Sequence, residues 1–445
     1  MALIKCKECK KEISDTAKQC PHCGYKKKKV RSFDIWVIDN YICNQQSLVL
    51  LKRKFLIIKE LCIFYNVLNP KDYTNFDFIK KKPNKIFVIS VIQYYKSLSE
   101  VKRLINNSKK LARKDLETWL LESDIRKSDG SVLSWLNEEK IGYFYNEIIG
   151  YYIKLLNYLN HISPKEKYRS LSDLSTNYLL SQINDLGGVT RNDITYVFDS
   201  AMCASGILST TNRRKLNSDE EKSVQNLCNF VCRSLSKESS AFTEDGLVLE
   251  EIERWSLSYG SLHLKTIVSL HEAYLYFGDK KYLDSCLDNY HKLIQIYNPK
   301  GFFSINKEID FVYTHPHCYA TEGLLYFRQF DFPKAEELTQ GSAQWLSNSQ
   351  NPDGSMSNWY NNTKVESLDY QGDATSQAIR IWLAVDREAY SNNISKAFQF
   401  LETLQSKSGG LFYNKGSKDI NSWVSMFALQ AILWSGKNPE EEWII

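Results

Sequence analysis

The sequence predicts an all-α protein, a closed (α/α)6 toroid of six helical hairpins, preceded by a small four-cysteine head. Three observations carry that expectation. Two CxxC pairs stand at the front of the chain, glycine turns recur at near-constant intervals beyond residue 105, and two kinds of helix alternate between those turns.

The head comes first. In CKECKKEISDTAKQCPHCG, Cys6 and Cys9 form one CxxC pair and Cys20 and Cys23 the other. Each CxxC knuckle presents two sulfurs from one tight turn, and four thiolates satisfy a tetrahedral zinc ion. A stretch this short has no hydrophobic core of its own, so metal binding must supply its folding energy. A redox reading of the CxxC lacks the strand and helix that would surround it. The segment resembles the short zinc ribbons found at the front of many bacterial cytoplasmic proteins, with CPHCG similar to their second knuckle. The resemblance covers residues 1–25 and implies a structural or docking element holding one structural Zn2+ per chain.

Residues 1–31 carry ten Lys/Arg against three Asp/Glu, whereas the whole chain has a net charge of +5, so the rest is near neutral. A basic head on such a body suits contact with nucleic acid or an acidic protein partner. A solvated basic linker at 26–31 suits the same run. Residues 32–104 read as a mostly helical extension. Lys5, Lys7, Lys10 and Lys11 are followed by no apolar run, and Val49–Val67 is broken by Lys52, Arg53, Lys54, Lys59 and Glu60. Neither a secretory signal nor a membrane span is therefore expected, and the location expected is cytoplasmic. Cys203, Cys228, Cys232, Cys286 and Cys318 read as reduced, buried thiols, in keeping with that compartment.

The turns of residues 105–445 fall at Gly130, Gly187, Gly246, Gly301, Gly354 and Gly409, at intervals of 57, 59, 55, 53 and 55 residues. Each interval holds two helices. Nearly charge-free segments are Ile141–Leu159, Asp193–Ser209, Ser261–Phe277, Thr314–Phe330, Asp373–Asp386 and Asn421–Ser435. A helix apolar on nearly all sides is surrounded by protein, so these are the expected inner helices. Segments charged on one face are Val101–Ile125, Lys165–Asn184, Ser218–Ser240, Asp279–Tyr297, Pro333–Gln350 and Asn392–Lys407, the expected outer ring. An open solenoid would need polar caps. NSWVSMFALQAILWS is uncharged and has to be covered, which ring closure achieves.

Loop lengths mark the working face. Links from inner to outer helix are short, whereas those from outer to inner are long and carry the glycine turns. Six long loops therefore gather at one mouth, where sites are built on a rigid scaffold. Three inner helices place polar residues at i, i+4 and i+7: Glu147, Tyr151 and Lys154; Asp373, Gln377 and Arg380; and Tyr319 with Glu322 beneath His315. Charges inside an apolar helix are costly unless paired or hydrated, so these residues either line a central funnel or form satisfied buried networks. On the first reading Glu322, Asp373 and Glu147 are candidate catalytic carboxylates, and His315 and His263 candidate proton carriers. Arg380, Gln377, Tyr319 and Tyr151 would bind substrate, and Trp255, Trp359 and Trp423 would stack on sugar rings. A metal site at His315, His317 and Cys318 is a weak signal, because helix positions two apart diverge by about 200°.

The repeat, with the segments YNEIIGYY, HPHCYATEG, GDATSQAIRIWL and NSWVSMFALQAI, resembles the six-hairpin toroid superfamily over about residues 105–445. That superfamily includes glycoside hydrolases, polysaccharide lyases and N-acylglucosamine 2-epimerase-like enzymes. The resemblance implies a carbohydrate-active enzyme performing hydrolysis, elimination or epimerisation at a sugar ring, with surface-polysaccharide metabolism one setting for it. No DxDD or DDxxD run for ionising a prenyl diphosphate is present. Two other functions are compatible with the sequence: a non-catalytic toroid binding a glycan or protein with the ribbon as docking module, and a nucleic-acid-associated protein using the basic head.

Overall fold

The computed structural model describes residues 3–5, 11–14, 22, 111–140, 142–252, 254–309, 311–361, 364–365 and 370–445. The chain divides into two compact units, Met1–Lys109 and Lys110–Ile445. In the first, Leu3–Lys5 pairs antiparallel with Glu12–Ser14, Leu3 standing opposite Ser14. Cys6, Cys9, Cys20 and Cys23, the basic linker and the 32–104 extension lie outside the described residues.

The second unit alternates outer and inner helices. The outer set is α1 (Arg113–Glu122), α3 (Glu166–Leu180), α5 (Ser218–Ser236), α8 (Lys280–Leu293), α10 (Ala335–Ser349) and α12 (Ser391–Leu404). The inner set is α2 (Asn146–Ile162), α4 (Val197–Leu208), the pair α6 (His263–Thr266) and α7 (Val268–Phe277), α9 (Thr314–Arg328), α11 (Gly372–Asp386) and α13 (Ser422–Gly436). Every residue of α4 is buried, whereas α5 buries one face and starts with a capping box at Asn217 and Glu220. That contrast is the sequence alternation made physical: an inner helix meets protein on all sides and an outer one meets water on one. The ring closes because α13 packs on α11, on α2 and on α1.

All six turn glycines have positive φ, from +78° at Gly246 to +106° at Gly409. In each, the glycine N–H donates to the carbonyl three residues back, a tight turn that needs the left-handed backbone glycine tolerates. A Cβ on Gly130 would lie 2.4 Å from Leu174 O in α3, one on Gly354 2.1 Å from Lys396 O in α12, and one on Gly409 2.5 Å from Asp115 O in α1. Each of these turns rests on the backbone of the next outer helix, and the last rests on the first. Closure is also made in the loops, where Ile420–Asn421 pairs with Trp135–Leu136.

Three inner segments differ from the sequence expectation. The helix expected from Ile141 starts at Asn146. The helix expected from Asp193 starts at Val197. Asn192 and Asp193 take φ of 49° and 62° and turn Val189–Arg191 back onto Ile194–Tyr196 as a hairpin, two positive φ values being what a tight two-residue turn requires. The helix expected over 261–277 is interrupted at Ile267, between α6 and α7. The outer helix expected over 101–125 is α1, from Arg113, with 101–110 outside the described residues.

Candidate active site

The inner helices are held at their starts by a repeated hydrogen bond. Two residues after four of the turn glycines, a loop N–H donates to the side chain at the fourth position of the following inner helix. The pairs are Val189 to Ser200 (3.0 Å), Phe303 to His317 Nδ1 (3.1 Å), Met356 to Thr375 (2.9 Å) and Leu411 to Ser425 (3.0 Å). His317 is thus the histidine version of a hydroxyl that fixes the loop. Among the described residues no group of three metal-binding side chains occurs.

Position two of a helix points about 200° away from position four, so residues at position two face the ring axis. They are Glu147 in α2, Phe198 in α4, His315 in α9, Asp373 in α11 and Trp423 in α13. One helical turn further lie Tyr151, Met202, Tyr319, Gln377 and Phe427, and three residues beyond those Lys154, Ser205, Glu322, Arg380 and Gln430. The axis is therefore lined in three layers.

The upper layer, nearest the long loops, holds two buried carboxylates on neighbouring helices, Glu147 and Asp199. The Tyr145 hydroxyl donates to Asp199 Oδ1 at 3.2 Å, and the Tyr319 hydroxyl to Glu147 Oε1 at 3.2 Å. Burial raises both carboxyl pKa values, and the charge of Glu147 pushes that of Asp199 up further. Arg191 and the Tyr319, Trp423 and Tyr145 side chains oppose the rise at Glu147. Across from the pair, His315 Nδ1 lies 3.5 Å from Asp373 Oδ2. The His315 ring meets Tyr319 edge-on at 4.3 Å and Trp255 at 5.8 Å. Burial, with Lys265 and Arg380 adding positive charge, lowers the His315 pKa to about 3, and Gln377 beside it opposes the shift. Tyr145 and Trp423 pack edge to face at 5.4 Å.

The lower layers are an ion network. Glu322, fully buried, accepts from both Lys265 and Arg380. Arg380 also donates to Gln430 Oε1 (2.8 Å) and Ile445 O (2.6 Å), and Lys265 to the same Ile445 oxygen (2.8 Å). Lys265 lies under the Tyr319 and Tyr151 rings, 4.6 and 5.0 Å from their centroids. Trp443, Ile444 and Ile445 are buried and cover this end of the axis. Between Lys154, Ser205, Lys265 and Ile444 a cavity of about 10 Å3 remains, room for one water.

The expected single funnel is therefore divided. Glu147, Tyr319, His315 and Asp373 come together at the mouth, with Tyr151 and Gln377 one turn below. Glu322 and Arg380 sit deeper, in mutual ionic contact. His263 stands apart: its ring is buried beside Tyr259, with Nδ1 2.9 Å from Thr266 Oγ1 and Nε2 3.2 Å from Ser240 Oγ. Trp359 lies in a separate loop strand, 6.0 Å from Phe311. Sequence reasoning passed over Asp199, Arg191 and Lys265. A lone Asp in VFDSAMCASGIL and a lone Lys in SLHLK were the available signals, since a charge inside an apolar helix needs a reason.

A closed ring of six helical hairpins, with acidic, basic and aromatic side chains presented at the starts of its inner helices, is the (α/α)6 toroid. Solved structures with a similar fold include cellobiose 2-epimerase from Bacillus thermoamylovorans B4167, 12% identical with a TM-score of 0.59 over 71% of this chain and 96% of that one. D-mannose isomerase is 10% identical, with a TM-score of 0.58 over 73% and 96%. Unsaturated glucuronyl hydrolase from Streptococcus agalactiae is 12% identical, with a TM-score of 0.53 over 75% and 94%. No protein-family model and no curated protein matches the sequence. At these identities the likeness is one of fold.

Proposed function

We propose that the toroid is an enzyme acting on a sugar ring by proton transfer, the chemistry common to hydrolysis, elimination and epimerisation. The observation that carries this reading is the Glu147–Asp199 carboxyl pair facing His315 and Asp373 at one mouth. Two buried carboxyls that resist joint ionisation keep a proton toward neutral pH, which makes the pair the acid. His315, neutral through burial, stands with Nδ1 3.5 Å from Asp373 Oδ2, and a ring protonated at Nδ1 would present Nε2 as an acceptor. Trp255 and Trp423, half-buried beside the site, offer flat apolar faces to a sugar. Three toroids of similar fold are named as a sugar epimerase, a sugar isomerase and a glucuronyl hydrolase, which supports the same substrate class. Lys265, held by Glu322, then supports Tyr319 and Tyr151 from below.

The test is a panel of oligosaccharides and reducing sugars followed by NMR, which separates new anomeric signals, new double bonds and new epimers. Glu147→Gln, Asp199→Asn and His315→Ala are each expected to lower turnover by roughly 10²-fold or more while the far-ultraviolet spectrum is unchanged. Full turnover in all three variants would refute the assignment.

For the head, we propose one structural zinc held by Cys6, Cys9, Cys20 and Cys23, with the unit serving to dock a protein partner. Support comes from the Leu3–Lys5 and Glu12–Ser14 strand pair, which brackets Cys6 and Cys9 as a ribbon hairpin does. Metal analysis of the purified chain should find one zinc, and Cys20→Ser should lose it. Zinc retained after removal of residues 1–25 would place the metal elsewhere. A reducing, cytoplasmic setting fits the five described cysteines, all of them unpaired. No helix among the described residues is long and apolar enough to cross a membrane.

A further inference from the structure

Arg191 has no assigned part in the acid–base set, yet it is placed with care. It ends the first strand of a four-stranded sheet (Val189–Arg191, Ile194–Tyr196, Ala241–Thr243, Val248–Leu249) that leads into α4 beside the mouth. Its guanidinium lies over two rings, 4.5 Å from the Tyr145 centroid and 4.8 Å from that of Tyr196. Two aromatic faces fix the plane of the group. Its N–H edge hydrogen-bonds the Tyr143 and Tyr196 side chains, both of them neutral partners.

What the edge lacks is an anion. Arg213, Arg214, Arg328 and Arg380 each grip a carboxylate directly. Arg191 has no ion pair to any described carboxylate, although Glu147 and Asp199 are near enough to feel its charge. The tyrosine clamp holds it short of them. A half-buried, pre-oriented guanidinium with five N–H donors and only neutral partners is a receptor for a planar or tetrahedral oxyanion. Its place beside the carboxyl pair puts that oxyanion on the molecule being protonated.

We propose that Arg191 binds an anionic substituent of the substrate, a carboxylate, sulfate or phosphate on the sugar, and so makes acidic sugars the preferred class. This rests on the reading of the mouth as a sugar site. Arg191 is a specificity residue here: it touches a substituent and takes no part in moving the proton.

The experiment compares matched disaccharides that differ only at one substituent: glucose, glucuronic acid, glucose 6-sulfate and glucose 6-phosphate. The full chain should favour one acidic member, which identifies the anion. Arg191→Gln should lower kcat/KM on that member by roughly 10- to 100-fold more than on the glucose member, mostly through KM. Arg191→Lys should recover part of the loss. Equal losses on acidic and neutral members, or an acid preference that survives Arg191→Gln, would overturn the proposal. Binding of the acidic disaccharides to the Glu147→Gln chain, followed by NMR, separates the two claims. Anion-dependent binding that vanishes in the Glu147→Gln, Arg191→Gln double variant, without turnover by the unaltered chain, sinks the enzyme and keeps the receptor. Turnover of neutral sugars alone does the reverse.

Discussion

At the scale of single residues, burial decides which groups carry charge. His263, His317 and His271 are driven down from 6.5 to about 3, 3 and 4 by burial, so each is neutral in the folded chain. Unfolded histidine takes a proton near 6.5, and these three take one only near 3 to 4. The stability they contribute is complete above pH 6.5 and is lost as the pH falls through that window, at roughly 1.4 kcal/mol per pH unit for each group. Melting temperature should therefore drop steeply from pH 6.5 towards 4, and His271→Phe should make the slope shallower; an unchanged slope would mean that His271 titrates normally. Glu147 and Asp199 have the opposite sign. Their raised pKa values mean that stability falls as the pH climbs above the ordinary carboxyl value toward the folded one. Asp199→Asn should accordingly melt higher at pH 7 while turning over less, the trade expected of a strained site. A lower melting point would show that the Tyr145 hydrogen bond outweighs the cost of burial.

At the scale of elements, the turns do more than connect. Gly354 and Gly409 have positive φ and also abut the backbone of the next outer helix, whereas Gly416, with φ +92°, has open space around it. Alanine at Gly416 should cost about 1–2 kcal/mol for the left-handed backbone alone. At Gly354 and Gly409 the loss should be clearly larger, because the Cβ meets a carbonyl oxygen that cannot swing away. Equal losses at all three in thermal unfolding would mean that the seating on the next helix contributes nothing. The hydrogen bonds from loop N–H to position four of the inner helix tie the same loops to the helix starts. This keeps position two of α9 and α11, which carries His315 and Asp373, aimed at the axis.

At the scale of the whole molecule, the buried cluster of Lys265, Glu322 and Arg380 joins α6, α9 and α11 with the segment ending at Ile445. Removing the one carboxylate leaves two cations facing each other in the core. Glu322→Gln is expected to destabilise the ring by roughly 3–5 kcal/mol, read by denaturant unfolding. A loss under about 1 kcal/mol would mean that water reaches these groups. Lys265 already feels the strain, its pKa lowered to about 8 by burial against the opposing pull of Glu322.

The twelve-helix alternation and the six turn glycines were legible in the sequence because each is a local pattern repeated six times, and the i, i+4, i+7 polar stripes because three inner helices repeat them. Charge placement separates an inner from an outer helix, and only glycine takes those turns without strain. Tertiary structure alone decided which of the polar residues share a space. His263 and His315 both start inner helices, yet one ring closes on Ser240 and Thr266 while the other faces Asp373 and Trp255. Glu322 and Asp373 looked alike as acids within apolar helices. Their depth along the axis makes one a partner of Lys265 and Arg380 and leaves the other at the mouth. Asp199 and Arg191 gain meaning only when a hairpin and a helix start, invisible as such in the sequence, bring them beside Glu147. Periodicity reports the direction a side chain leaves its own helix, and a site is made by what arrives from the others.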